Sequence, residues 1–124
     1  MVTTTLVDML IEQKKRNQKY FLEYQNYALK IKGIARKLLD DEKLRVLVYG
    51  SVVRGTWIPN RSDIDILIIS QKVLKSASWQ SDLKIKIVQG MGIDLTAPFE
   101  FHFATADEYA KWYQKFIHDE FVEV

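Results

Sequence analysis

Between Val46 and Ser70 the chain reads VLVYGSVVRGTWIPNRSDIDILIIS, two apolar runs separated by a glycine turn and a loop. The first, Val46-Leu47-Val48-Tyr49, is unbroken and β-branched, the pattern of a strand covered on both faces. Gly50-Ser51 ends it. Glycine lets the backbone approach a bulky ligand, and a serine heading a short helical turn sets its hydroxyl beside unpaired backbone N–H groups, so this turn suits a phosphate. Gly55, Pro59, Asn60 and Ser62 mark the loop that follows. In the second run, Asp63 to Ile69, strand alternation puts Asp63 and Asp65 on the same face, about 7 Å apart. Two carboxylates on an otherwise apolar strand repel each other unless a cation compensates them. Beside a phosphate seat they are suited to hold divalent ions on a triphosphate.

Gly50-Ser51, Arg54-Gly55 and Asp63-Ile64-Asp65 together resemble the DNA-polymerase-β-like nucleotidyltransferases, in which a glycine-serine pair is followed about ten residues later by Asp-x-Asp. The resemblance extends over nearly all of the chain beyond its first helix and is closest to the minimal nucleotidyltransferases of prokaryotes. Eleven residues (52–62) separate Ser51 from Asp63, one more than in many minimal members. The resemblance implies a two-ion Mg²⁺ site on Asp63 and Asp65. It also implies nucleotide contacts from Gly50, Ser51, Arg54 and the two aspartates, and a third carboxylate on a neighbouring strand. Glu100 and Asp94 are the candidates, and Glu100 is preferred because it lies within an alternating strand whereas Asp94 sits between a glycine and a proline. The implied reaction is transfer of AMP from ATP to an acceptor hydroxyl. In similar minimal enzymes the acceptor can be a tyrosine of a partner HEPN-domain toxin, which makes the small protein an antitoxin. The rival readings are a small-molecule nucleotidyltransferase of the aminoglycoside type and a binding module that masks a partner without catalysis.

With 124 residues, the chain is expected to form a single nucleotidyltransferase domain over 1–124, with a long N-terminal helix in 1–42 and the catalytic core in 43–124. The expected fold is α/β (α+β), a small mixed sheet with helices packed on one face. A net charge of +2 does not call for a nucleic acid partner, and the absence of cysteine rules out a disulfide framework and thiolate chemistry. There is no long apolar run, and Met1-Val2-Thr3-Thr4 does not begin a signal peptide, so the expectation is a cytoplasmic protein without a membrane span.

From Thr5 to Leu39 there is no proline and only one glycine, Gly33, which predicts one long helix. Tyr20, Tyr24, Tyr27, Ile31, Ile34 and Leu38 fall on one stripe of it, directed at the sheet. Residues 12–19 are polar all round and are expected to project into solvent, with Lys14, Lys15, Arg16 and Lys19 on a solvated face. Leu6, Met9 and Leu10 leave an apolar patch near the tip, read as a frayed end or as a surface for a partner or a second copy. A second helix is expected over 78–88, with Trp79, Leu83 and Ile87 inward and Gly90 and Gly92 ending it.

Residues 98–104 alternate Phe99, Phe101 and Phe103 against Glu100 and His102, which predicts a third strand. Thr105 and Glu108 form a capping box for a last helix whose core face is Tyr109, Trp112 and Phe116, and residues 121–124 are expected to add an edge strand. His102 reads as a hydrogen-bonded structural residue or a proton-transfer group. Arg54 reads as a phosphate contact or the partner of an acid such as Asp63, Arg61 as an exposed loop cation and Trp57 as a loop anchor.

Overall fold

The structure, a computed structural model, describes residues 5–58 and 60–124; Met1-Val2-Thr3-Thr4, Pro59 and the Phe116 side chain lie outside the described residues. The two apolar runs form β1 (Arg45–Tyr49) and β2 (Ile64–Ile69), joined through the short helical turn α3 (Ser51–Arg54). The phenylalanine segment is β3 (Phe99–Ala104) and the C-terminal segment is β4 (Phe121–Glu123). They make one sheet in the order β3-β2-β1-β4. β1 is antiparallel to both neighbours, pairing Tyr49 with Asp65 and Val48 with Val122, whereas β2 and β3 are parallel. A parallel pair requires a crossover, and α4 (Ala77–Met91) supplies it.

Strand alternation gives the sheet two different faces. Val46, Val48, Ile64, Ile66, Ile68, Phe99 and Phe103 join a large core with Phe21, Ala28, Ile31 and Ala35 from the N-terminal helices and Leu83, Ile87 and Met91 from α4. Burying each large aliphatic or aromatic side chain here contributes about 1.5–3 kcal/mol. On the opposite face Leu47, Leu67, Ile69 and Ala104 pack with Ile117, Tyr109 and Tyr113 from the C-terminal segment. That second cover spans only one end of the strands, and the other end carries polar residues.

The N-terminal stretch departs from the single helix expected of it. It forms α1 (Leu6–Leu22) and α2 (Tyr24–Leu39), with Glu23 between them at φ −113°, ψ 28°. No proline or glycine marks the break, and the packing around it supplies the reason. Phe21 stacks on Trp57 at 4.7 Å while Tyr20 meets Tyr27 at 5.0 Å and Phe99 at 5.5 Å. Wrapping these rings around the sheet edge overrides a weak local preference for straight helix. The stripe also drifts, so that Ala35 and Leu39 face the core while Leu38 is exposed. Leu6, Val7, Met9, Leu10 and Ile11 are exposed on α1, as the unpartnered tip implied.

Helix α4 runs beyond Gly90 and ends at Gly92. Gly90 lies within the helix, and a Cβ there would sit 3.2 Å from Ile34 Cγ2, so its role is close approach to α2 rather than termination. The capping box is present: Thr105 Oγ1 accepts from Glu108 N at 3.2 Å, and Thr105 N donates to the Glu108 carboxylate at 3.1 Å. It starts α5 (Ala106–Glu108), which continues as a π-helical turn (Tyr109–Tyr113) and then α6 (Gln114–Ile117). The wider π turn shifts the helical phase. Tyr109, Tyr113 and Ile117 therefore face the sheet, and Trp112, expected in the core, is 67% exposed.

Candidate functional site

Asp65 is the second residue of β2 and lies between Tyr49 of β1 and Glu100 of β3 in the ladder. Alternation sends Ile64 and Ile66 into the large core, so the intervening Asp65 side chain faces the opposite side. Glu100 and His102 are turned to that side for the same reason, by the burial of Phe99 and Phe103. The three groups converge. Asp65, Glu100 and His102 each offer one ligand atom, all lying within 4.8 Å of one another. His102 Nε2 is 3.6 Å from Asp65 Oδ1 and 3.6 Å from Glu100 Oε1.

The glycine turn faces the same group. Gly50 has φ +86° and ψ −157°, a conformation that essentially only glycine adopts. A Cβ built on it would overlap Asp65 Oδ2 and lie 3.4 Å from Asp65 Cγ. The turn and the acidic strand are therefore in direct contact, and Ser51 opens α3 one residue on. Arg54 ends α3, with Nη1 3.8 Å from Glu120 Oε2 rather than beside Asp63. Both partners are more than half exposed, so the pair is worth at most about 1 kcal/mol and is readily exchanged for an anion.

Above the sheet, Tyr49, Asp65, Glu100, His102, Glu108, Trp112 and Tyr113 line an open cavity of about 580 Å³. Burial pushes the Tyr49 phenol well above its usual range, with the Asp65 carboxylate adding to the effect, and burial also raises Tyr113. Both phenols stay protonated at neutral pH. The imidazole of His102 lies 5.9 Å from the Tyr49 ring and 6.3 Å from the Tyr113 ring, centroid to centroid.

The remaining candidates fall elsewhere. Asp63 is exposed, one residue ahead of β2, and its carboxylate is outside the Asp65–Glu100–His102 group. Nothing in the ladder holds it, since pairing begins with Ile64 opposite Phe99. Asp94 closes a loop by accepting from Thr96 N at 3.2 Å, the local turn role typical of an aspartate. Trp57 anchors its loop against Phe21. Trp112 and Tyr113 were concealed in the sequence by an assumed period of 3.6, and Glu108 by its capping role. An extra aromatic next to the inward one, in Trp112-Tyr113, is the signal that a phase change there would expose one of them.

Two carboxylates from paired strands, facing a turn that only glycine permits, fit a divalent cation held with a polyphosphate. Asp65 and Glu100 would hold it, with His102 at the third corner.

The family model described as a nucleotidyltransferase domain matches residues 28–121. One solved crystal structure, provisionally described as a nucleotidyltransferase, is similar at 29% identity, covering 76% of this chain and 92% of that chain with a TM-score of 0.49. No curated protein matches.

Proposed function

This chain belongs to the nucleotidyltransferase domain family, and from that premise we propose that it moves AMP from ATP to an acceptor hydroxyl with Mg²⁺ or a similar divalent ion at Asp65 and Glu100. The observation that carries this reading is the ladder pairing of Asp65 with Glu100 while the Asp65 carboxylate lies against Gly50. Asp63 joins them as a further ligand, because alternation continued two residues back from Asp65 directs it to the same side.

Held by Asp65 and Glu100, a divalent ion would supply charge neutralisation for the attacking and leaving oxygens. The chain's own residues do the rest. Gly50 leaves room for the triphosphate beside Asp65, and Ser51 and Arg54 bind its β- and γ-phosphates. The acceptor oxygen attacks the α-phosphorus, the bond to the β-phosphate oxygen breaks, pyrophosphate leaves, and the acceptor's proton passes to solvent or to a carboxylate of the site. Asp65 and Glu100 keep the reacting groups in line.

The acceptor we propose is a tyrosine hydroxyl on a HEPN-domain toxin, the chain acting as its antitoxin in the cytoplasm. Family resemblance supports this. The cavity supports it as well, being open and rimmed by the exposed Trp112, which suits a side chain presented by another protein. The exposed Leu6, Met9 and Leu10 on α1 offer apolar surface for that partner or for a second copy. Among the described residues no helix is long and apolar enough to cross a membrane.

Incubating the purified chain with α-labelled ATP, a divalent ion and cell lysate tests the reading. Label on one protein band, lost in both Asp63→Asn and Asp65→Asn, is the expected result. Label confined to a small molecule moves the acceptor to that class. Nucleotide binding without any label leaves a binding module instead of an enzyme.

A further inference from the structure

Three features of His102 are unexplained by the carboxylate chemistry alone. Its Nε2 stands at the same 3.6 Å from Asp65 Oδ1 and from Glu100 Oε1. Neither separation is a hydrogen bond, since an imidazole N–H paired with one carboxylate would close to about 2.8 Å. The ring is flanked by those of Tyr49 and Tyr113, and its Nε2 edge meets the acids. Two ligands of one ion at metal distances of about 2.0–2.2 Å lie about 2.9–3.6 Å apart, for right angles through tetrahedral ones. The two His102 separations sit at the wide end of that span, and the three ligand atoms all lie within 4.8 Å of one another.

Backbone geometry supports the convergence independently of side-chain torsions. Glu100 is the register partner of Asp65, and His102 is two residues along the same strand, opposite Leu67. Parallel pairing places all three Cβ atoms on one face, and neighbouring strands are only about 4.8 Å apart. The converging trio therefore offers one nitrogen and two carboxylates.

We propose that His102 is a direct ligand, through Nε2, of the divalent ion held by Asp65 and Glu100, and that this nitrogen makes the site prefer first-row transition ions to Mg²⁺. The inference rests on the metal-binding reading of this site and adds a nitrogen ligand and the ion class. Mg²⁺ is a hard cation that takes oxygen ligands, whereas imidazole suits transition ions, whose affinities rise from Mn²⁺ to Co²⁺. The wild-type chain should thus bind Co²⁺ more tightly than Mn²⁺, and Mn²⁺ more tightly than Mg²⁺. Removing the imidazole should flatten that order.

The test is calorimetric titration of the 124-residue chain with Mg²⁺, Mn²⁺ and Co²⁺, with and without an ATP analogue carrying a methylene bridge between its α- and β-phosphates. Pulsed electron spin resonance of the Mn²⁺-loaded protein is read alongside. His102→Ala should weaken Mn²⁺ and Co²⁺ binding by at least about 10–100-fold, weaken Mg²⁺ binding much less, and abolish nitrogen coupling to the Mn²⁺ spin. Asp65→Asn should weaken all three ions. Thermal melts of both variants without metal confirm that they are folded. If Asp65→Asn abolishes binding but His102→Ala changes neither the ion order nor the nitrogen coupling, His102 is no ligand and the metal reading survives. If the wild-type chain takes up none of the ions in either condition, the inference and the metal reading fall together.

Discussion

Gly50 and Asp65 occupy each other's space: a single methyl group added to Gly50 would collide with Asp65 Oδ2. The collision couples the end of β1 to the acid on β2, and φ +86° with ψ −157° removes any easy escape for a larger residue. Gly50→Ala should therefore destabilise the fold by about 1–3 kcal/mol from backbone strain alone. It should also displace the Asp65 carboxylate. A lowered melting temperature together with lost nucleotidyl transfer checks this, and unchanged activity would contradict it.

Asp65→Asn separates chemistry from stability. Loss of a metal-binding carboxylate should reduce transfer at least about a hundredfold, equivalent to several kcal/mol of transition-state stabilisation. Without metal the variant should melt at the same temperature as wild type or higher, because neutralising Asp65 relieves its repulsion with Glu100 across the ladder. Parallel activity assays and metal-free thermal melts give both readouts.

Trp112 is exposed on the cavity rim, so truncation costs the fold little. Trp112→Ala should shift stability by no more than about 0.5 kcal/mol. Its effect should appear in binding, as a raised KM for nucleotide or acceptor with folding intact. Steady-state kinetics beside a denaturant melt distinguish that from a structural role.

Acid should weaken the fold through two carboxylates. The Ser70 hydroxyl donates to Asp41 Oδ2 at 2.6 Å and holds that carboxyl below its usual range, and the Arg45 guanidinium does the same for Glu123 at 2.7 Å. Each folded-state value lies below the unfolded one, so the contribution is complete above about pH 4–5, near the unfolded values, and is lost as pH falls through the folded ones. Asp41→Asn and Glu123→Gln should each flatten the decline of stability below pH 4–5, roughly where free carboxyls titrate. Denaturant melts between neutral and acidic pH measure the slope.

His118 adopts φ 53° and ψ −130° where α6 gives way to β4. Glycine takes that conformation without the Cβ penalty, and the relief exceeds its added chain entropy. His118→Gly should raise stability by roughly 0.5–1 kcal/mol. A thermal melt with no gain would mean that the imidazole makes compensating contacts.

Much of the molecule was legible from local patterning. Alternation in 63–69 and 98–104 located two strands and the faces of Asp65, Glu100 and His102. The Thr105–Glu108 pair located a helix start, and the apolar tip of α1 emerged exposed as its unpartnered residues implied. Patterning failed where phase depends on surroundings. The break at Glu23 follows from how Phe21 and Tyr20 pack, and the π turn that turns Trp112 outward is seen only once Tyr109, Tyr113 and Ile117 meet the sheet.

By itself the amino-acid order determined which side chains share a face, because a period of two is a property of any extended chain. It could not determine that Glu100 lies opposite Asp65, or that Gly50 touches the same carboxylate. Those neighbours are 35 and 15 positions apart, and their meeting depends on strand order and register. Both are decided by burial of Ile64, Ile66, Phe99 and Phe103 under α1, α2 and α4, since a register slip of one residue would turn the apolar set outward and the acids into the core.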